Sequence, residues 1–198
     1  MPVAKAGHTT LSAMRAGCSR DRMRVSGADG ETACRIRAPD FATRTHQARL
    51  DRVERPGHAL GSSRLVEPGV DFRISSRVGL RAWAWPSGRI EVTGALIDLL
   101  DDHELSAALA HEIAHLRNGS GAADGGAALA SADNDSVERD ADRAGCAMLA
   151  DAGLPPQAMV SMLSKVATGL RDPHALSGRI EAASTACIGT PGPLAATR

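Results

Sequence analysis

The 198-residue chain contains no tyrosine, two phenylalanines and two tryptophans, so aromatic residues make up only 2% of it. Aromatic stacking therefore cannot build the core, and a 43% hydrophobic content dominated by alanine points to packing between helices with small side chains. No stretch approaches the roughly 18 apolar residues of a membrane-spanning helix, which excludes an integral helical segment. Residues 1–24 hold no continuous apolar region of the kind a secretory signal requires. Net charge is also absent, with 23 Lys and Arg against 23 Asp and Glu. The basic residues gather towards the N-terminus, but without aromatic interleaving or a recognisable motif, so a nucleic-acid partner is not expected. Cys18, Cys34, Cys146 and Cys187 form no Cys-x-x-Cys pair and leave all three pairings open. Free thiols in a cytoplasmic setting are the default expectation, with a Cys34 to Cys187 bridge as the alternative for an exported chain.

What is present centres on residues 102–117. Ala and Leu make this stretch a strong helix former, Asp101 or Asp102 can cap its start, and Glu104 stands three residues after Asp101 as in a capping box. His111 and His115 lie four residues apart, so both imidazoles project from one face, close enough to share a metal ion, with Glu112 beside them. His-Glu-x-x-His is the arrangement in which two histidines hold zinc and the glutamate takes a proton from a water. The apolar neighbours make two unpaired imidazoles on that face costly to bury, which disfavours a chance occurrence. Residues 91–142 also carry 12 Asp and Glu against 2 Lys and Arg, a field suited to a divalent cation.

Along the chain, residues 1–40 lack periodicity and are expected to form a poorly structured segment. A partial helical stripe through Ala48, Leu50, Val53 and Leu60 suggests a short helix broken at Pro56-Gly57. Residues 70–74 alternate as a half-buried strand, and residues 80–92 read as two strands joined at Pro86-Ser-Gly88, with Trp83 and Trp85 in the first. A short apolar helix at 93–100 leads into the central one. Residues 118–136 read as a polar loop, which raises the question of whether it gates the cleft. Helices follow at about 137–152 and 157–168, and the tail after about Ala186 is expected to be disordered. The fold class is α+β, mostly helical with a small sheet, with the domain at 41–186 and a tail at 187–198.

A catalytic zinc site needs a third protein ligand. Glu138 and Asp142 share one helical face 22 and more residues after the histidine pair, so Glu138 can complete a His₂Glu site for one zinc ion and Asp142 can orient an imidazole.

Taken with the strand from Trp83 to Thr93, these motifs resemble the M48 family of zinc metallopeptidases, gluzincins related to the HtpX heat-shock proteases and the CAAX prenyl endopeptidases, over roughly residues 45–182. The resemblance implies a zincin-like domain in which an edge strand and hairpin lie beside the metal helix, and a soluble, minimal member acting on protein or peptide substrates. It implies His111, His115 and Glu138 as zinc ligands, Glu112 as general base, Asp142 as the partner of a ligand, and the strand ending at Trp85 as the edge that receives an extended peptide. It also implies that His174 or Arg179, within residues 172–180, stabilises the oxyanion. Arg81 stands where the family usually carries Asn. The rival readings are an ImmA/IrrE-type regulatory metallopeptidase and a zinc-binding interaction module without turnover.

Overall fold

The computed structural model describes residues 22–26, 32–36, 41–61, 63–64, 69–119 and 135–188. Residues 1–42 form a unit of their own, apart from residues 43–198. In it β1 (Arg22–Ser26) and β2 (Thr32–Ile36) pair antiparallel, with Arg24 opposite Cys34. A hairpin thus occupies part of the stretch for which the sequence suggested little structure.

The larger unit is built around α3 (Asp102–Arg117), and its start follows the local chemistry. Asp101 accepts hydrogen bonds from the N–H groups of His103 and Glu104, while the Glu104 carboxylate accepts from the Asp101 N–H at 2.8 Å, a complete capping box. Every residue from Glu104 to His115 is buried, so this helix is the centre of the core and not an amphipathic surface element. Glu104 is tied a second time, to Ser161 and Lys165 of α5 (Ala158–Thr168).

One flank of α3 meets a three-stranded mixed sheet in the order β3 (Asp71–Ser75), β5 (Arg89–Thr93), β4 (Ala82–Ala84). β4 and β5 form the expected hairpin, whereas β3 runs parallel to β5. Thr93 N–H donates to the Arg81 carbonyl at 2.9 Å and Trp85 N–H to the Arg89 carbonyl at 2.7 Å. Arg81, Trp83 and Trp85 therefore spend their backbone groups on β5, and the N–H and C=O of Ala82 and Ala84 face the outer edge of the sheet. Trp83 is buried with the Arg77 guanidinium 5.0 Å from its ring, and half-buried Trp85 carries Arg89 at 4.8 Å.

α1 (Phe41–Leu60) corrects the expected break at Pro56-Gly57, because the helix runs through both residues. A Cβ on Gly57 would stand 2.3 Å from the Phe72 ring, so glycine lets β3 press its one aromatic side chain against the helix. Three arginines then clamp α1 to α2 (Gly94–Leu99) and α3: Arg49 to Asp98, Arg52 to the carbonyls of Ile97 and Leu100 and to Asp102, and Arg55 to Asp102. These contacts and the buried Val53 and Leu60 outweigh the hydrogen bond that Pro56 removes.

On the other flank α4 (Asp135–Asp151) crosses α3 closely at Gly145, where an added Cβ would stand 3.4 Å from the His111 backbone nitrogen. After a 3₁₀ turn at Pro173–Leu176, α6 (Ser177–Ile188) packs on α4. This helix was not anticipated, and it continues past Ala186, where a disordered tail was expected; residues 189–198 lie outside the described residues, as does most of the loop at 118–136.

Cys146 and Cys187 are joined in a disulfide, which corrects both the free-thiol expectation and the Cys34 to Cys187 alternative. The helix pairing brings their Cα atoms to 5.3 Å across 41 residues of sequence. Replacing both by alanine is expected to cost about 2–4 kcal/mol of unfolding free energy, measured by chemical denaturation.

Candidate active site

On α3 the one-turn spacing stacks His111 and His115 on one face, with ring centroids 4.6 Å apart and the rings nearly perpendicular. Their Nε2 atoms converge to 3.0 Å. From α4, Glu138 sends Oε2 to 3.3 Å from His111 Nε2 and Oε1 to 3.4 Å from His115 Nε2. Bonds of about 2.0–2.1 Å in a tetrahedral arrangement put ligand atoms about 3.3 Å apart. The two imidazole nitrogens stand close to one such edge apart and the Glu138 carboxylate spans them with one oxygen towards each, so these three residues form a buried group that could hold a metal ion.

One turn further along α4, Asp142 Oδ1 lies 2.9 Å from His111 Nδ1. A proton on Nδ1 in that bond leaves the Nε2 lone pair aimed at the metal position. Asp142 and Glu138 are in turn gripped by Arg179 of α6. Its Nε donates to Asp142 Oδ2 at 2.9 Å, its Nη2 to Asp142 Oδ1 at 2.8 Å, and its Nη1 meets Glu138 Oε2 at 2.9 Å. One guanidinium thus forks onto one carboxylate and bridges to the second, a geometry a lysine cannot reproduce.

Glu112 stands differently. Both of its oxygens are buried and have no hydrogen-bond partner among the described residues. Burial pushes its carboxyl up to about 7, against the pull of the neighbouring His111 and His115. Glu138 moves the other way, to about 2: desolvation resists this, but hydrogen bonds from His111 and His115 and the Arg179 charge prevail. Asp142 is likewise held below the ordinary range, where its bonds to His111 and Arg179 overcome burial.

Burial disfavours a cationic His111, yet Asp142 and Glu138 raise it to about 9. Three carboxylates, Glu112, Glu138 and Asp142, face one guanidinium, Arg179, all at most 2% exposed. With Glu112 lifted to about 7 and His111 to about 9, protons on these two groups offset much of the carboxylate charge, and a divalent cation held by His111, His115 and Glu138 could take their place.

Of the residues singled out from sequence, His111, Glu112, His115, Glu138, Asp142 and Arg179 are brought together. His174 is not: it sits exposed in the 3₁₀ turn, with its backbone N–H on Asp172, and its imidazole meets none of the six. Arg179 is placed against the carboxylates with its donors already engaged, which is not the disposition of an oxyanion donor. Asp140 is exposed and pairs with Arg143, as a surface charge should. The disulfide went unnoticed although a signal existed: Glu138, Asp142 and Cys146 on α4, and Arg179, Ala183 and Cys187 on α6, each recur at intervals of four, so that two facing stripes end in cysteines.

Comparison with known proteins adds an independent line. A search of curated proteins finds no match to the chain. The family model described as Peptidase family M48 matches residues 61–125, a span that holds all three strands of the sheet, α2, and α3 with His111, Glu112 and His115, and the match supports a metallopeptidase.

Proposed function

We propose that this protein is a zinc-dependent endopeptidase that binds one zinc ion per chain through His111, His115 and Glu138. The observation that carries the reading is Glu112: a carboxylate beside the three candidate ligands, buried with no hydrogen-bond partner among the described residues, has no evident structural use and costs stability where it stands. A site that merely held zinc would need no such group, which disfavours the interaction-module reading.

Zinc, when bound, supplies a Lewis acid that polarises the scissile carbonyl and acidifies water at neutral pH. The chain's own residues do the rest. Glu112, with a carboxyl near neutrality, accepts the proton of the attacking water and passes it to the leaving amine nitrogen. Asp142 fixes the His111 ring, and Arg179 acts as a positioning residue that keeps Asp142 and Glu138 in register with each other. The N–H and C=O of Ala82 and Ala84 point to the outer edge of β4, and an extended peptide pairing there has to displace what now buries these two residues, which are 0% and 2% exposed. The substrate class is protein or peptide; no described helix is long and apolar enough to cross a membrane. The Cys146–Cys187 bond favours an oxidising compartment over the cytoplasm.

The test is digestion of a mixed peptide library, read by mass spectrometry, before and after chelation and after zinc is restored. Cuts should vanish with the metal and return at about one zinc per chain. A cation bound only by the folded chain, through His111, His115 and Glu138, stabilises it by mass action, so chelation should also lower the melting temperature. Cuts that survive chelation, or a protein that retains no zinc, would remove the proposal.

A further inference from the structure

A pocket of about 170 Å³ opens between the sheet and the C-terminal half of α3, lined among the described residues by Val70, Pro86, Ile113 and Leu116, by Gly69 and Gly88, and by Arg117. Its origin lies in the sheet. On the core-facing side, Ile74, Val92 and Ala82 form one row and Phe72, Ile90 and Ala84 the next. Two residues further along each segment stand Val70, Gly88 and Pro86, so the third row has a glycine where the first two have Val92 and Ile90. No side chain there fills the space beside Ile113 and Leu116.

The gap is fixed by the backbone. Gly88 takes a φ of +84° in the hairpin turn, a conformation that favours glycine, and its carbonyl accepts from the Asp71 N–H at 3.1 Å. Turn and β3 are thereby pinned together, and a pocket formed in advance costs an arriving group little ordering.

The pocket borders the proposed catalytic base. At about 100° per residue, Glu112 stands on α3 between His115, about 60° to one side, and Leu116, about 40° to the other and one turn further on. Side chains four residues apart on a helix have Cβ atoms about 5–6 Å apart. A peptide whose scissile bond meets Glu112 therefore brings a neighbouring side chain within reach of Leu116.

We infer that this pocket takes the side chain of a substrate residue next to the scissile bond and selects phenylalanine. The inference rests on the reading of the protein as a peptidase. An apolar cavity of about 150 Å³ is enough to hold benzene, so the volume suits a phenyl group. Val70, Pro86, Ile113 and Leu116 supply apolar walls, and the exposed Arg117 supplies a cation for the face of a ring.

The test is titration of the zinc-loaded full-length protein, in its Glu112→Gln form so that nothing is cut, with Gly-Ser peptides carrying one central Phe, Leu, Glu or Ala, followed through methyl NMR signals. The Phe peptide should bind about tenfold more tightly than the Ala peptide and should move the Ile113 and Leu116 methyl signals. Val70→Phe, which fills the pocket with the protein's own ring, should erase that preference with zinc content unchanged. Arg117→Gln, a surface change that tests the pocket even where Val70→Phe does not fold, should weaken Phe binding about two- to fivefold and leave Leu binding as it was. Equal binding of Phe and Ala, tighter binding of Glu than of Phe, unmoved Ile113 and Leu116 signals, or an intact preference in folded Val70→Phe would overturn the inference. The two readings separate: library cuts with no preference for phenylalanine beside the cleaved bond remove only the pocket, whereas Phe-selective binding by a wild type that never cuts removes only the peptidase.

Discussion

Glu112→Gln protein is expected to lose about 10²–10⁴-fold in kcat/KM against any peptide the wild type cuts, and to melt at a higher temperature than the wild type. The first effect follows from removing a proton acceptor positioned for the chemical step, and it should fall on kcat with KM little changed. The second follows from the surroundings of that carboxylate. Its oxygens have no partner among the described residues, and burial lifts its pKa to about 7, which means the fold already favours the uncharged form. Glutamine keeps the shape and removes the buried charge. Opposite signs for activity and stability are the mark of a residue retained for chemistry. Paired measurements of kcat/KM and thermal unfolding decide the matter: full turnover in the variant would take the base role from Glu112, and a loss of stability would mean that the carboxylate has a structural partner after all.

The largest stability effect is expected at Arg179. Truncation to alanine leaves Glu138 and Asp142 buried with no guanidinium, and breaking such a network from one side costs about 3–5 kcal/mol. That is a large share of the roughly 5–15 kcal/mol that holds a domain of this kind together. Arg179→Lys should recover little, because one ammonium cannot fork onto Asp142 and reach Glu138 together.

An acid limb accompanies this effect. In the chelated protein Glu138 sits at about 2 against an ordinary 4.5, so its contribution is complete above about pH 4.5 and is lost as the pH falls towards 2. Asp142, also lowered, adds a loss of the same sign. Denaturant melts of the chelated proteins across this window should show a steep acid limb in the wild type and a flatter one in Arg179→Ala. A change below about 1 kcal/mol at neutral pH would show that water reaches the two carboxylates and that the arginine is not their main counter-charge.

Much of the candidate site was legible because its geometry is local. The capping box at Asp101 and Glu104, the four-residue intervals of His111 with His115 and of Glu138 with Asp142, and the turn at Pro86-Ser-Gly88 are each decided within a few residues. The part of the M48 resemblance that rests on the Trp83–Thr93 strand and His111, Glu112 and His115 is met by the family match over residues 61–125, a span that does not reach Glu138 or Asp142.

Where the reading failed, a distant partner outweighed a local rule. Pro56 and Gly57 signal a helix end, yet α1 continues because Phe72 needs the glycine and three arginines find Asp98 and Asp102 some 47 to 50 residues away. For His174 and Arg179, which the resemblance offered as alternatives for one role, packing leaves the first in solvent and buries the second against two acids, a difference that no local rule contains.

The helix that carries His111, Glu112 and His115 on neighbouring positions was readable from the chain alone, since helical periodicity and capping are properties of neighbouring residues. Tertiary contacts settled that Glu112 has no hydrogen-bond partner among the described residues, that Arg179 grips Glu138 and Asp142, that Cys146 meets Cys187, and that β3 runs parallel to β5. Each of these is a contact between segments far apart in the chain, set by which buried charges and surfaces can satisfy one another and by no preference a single segment carries.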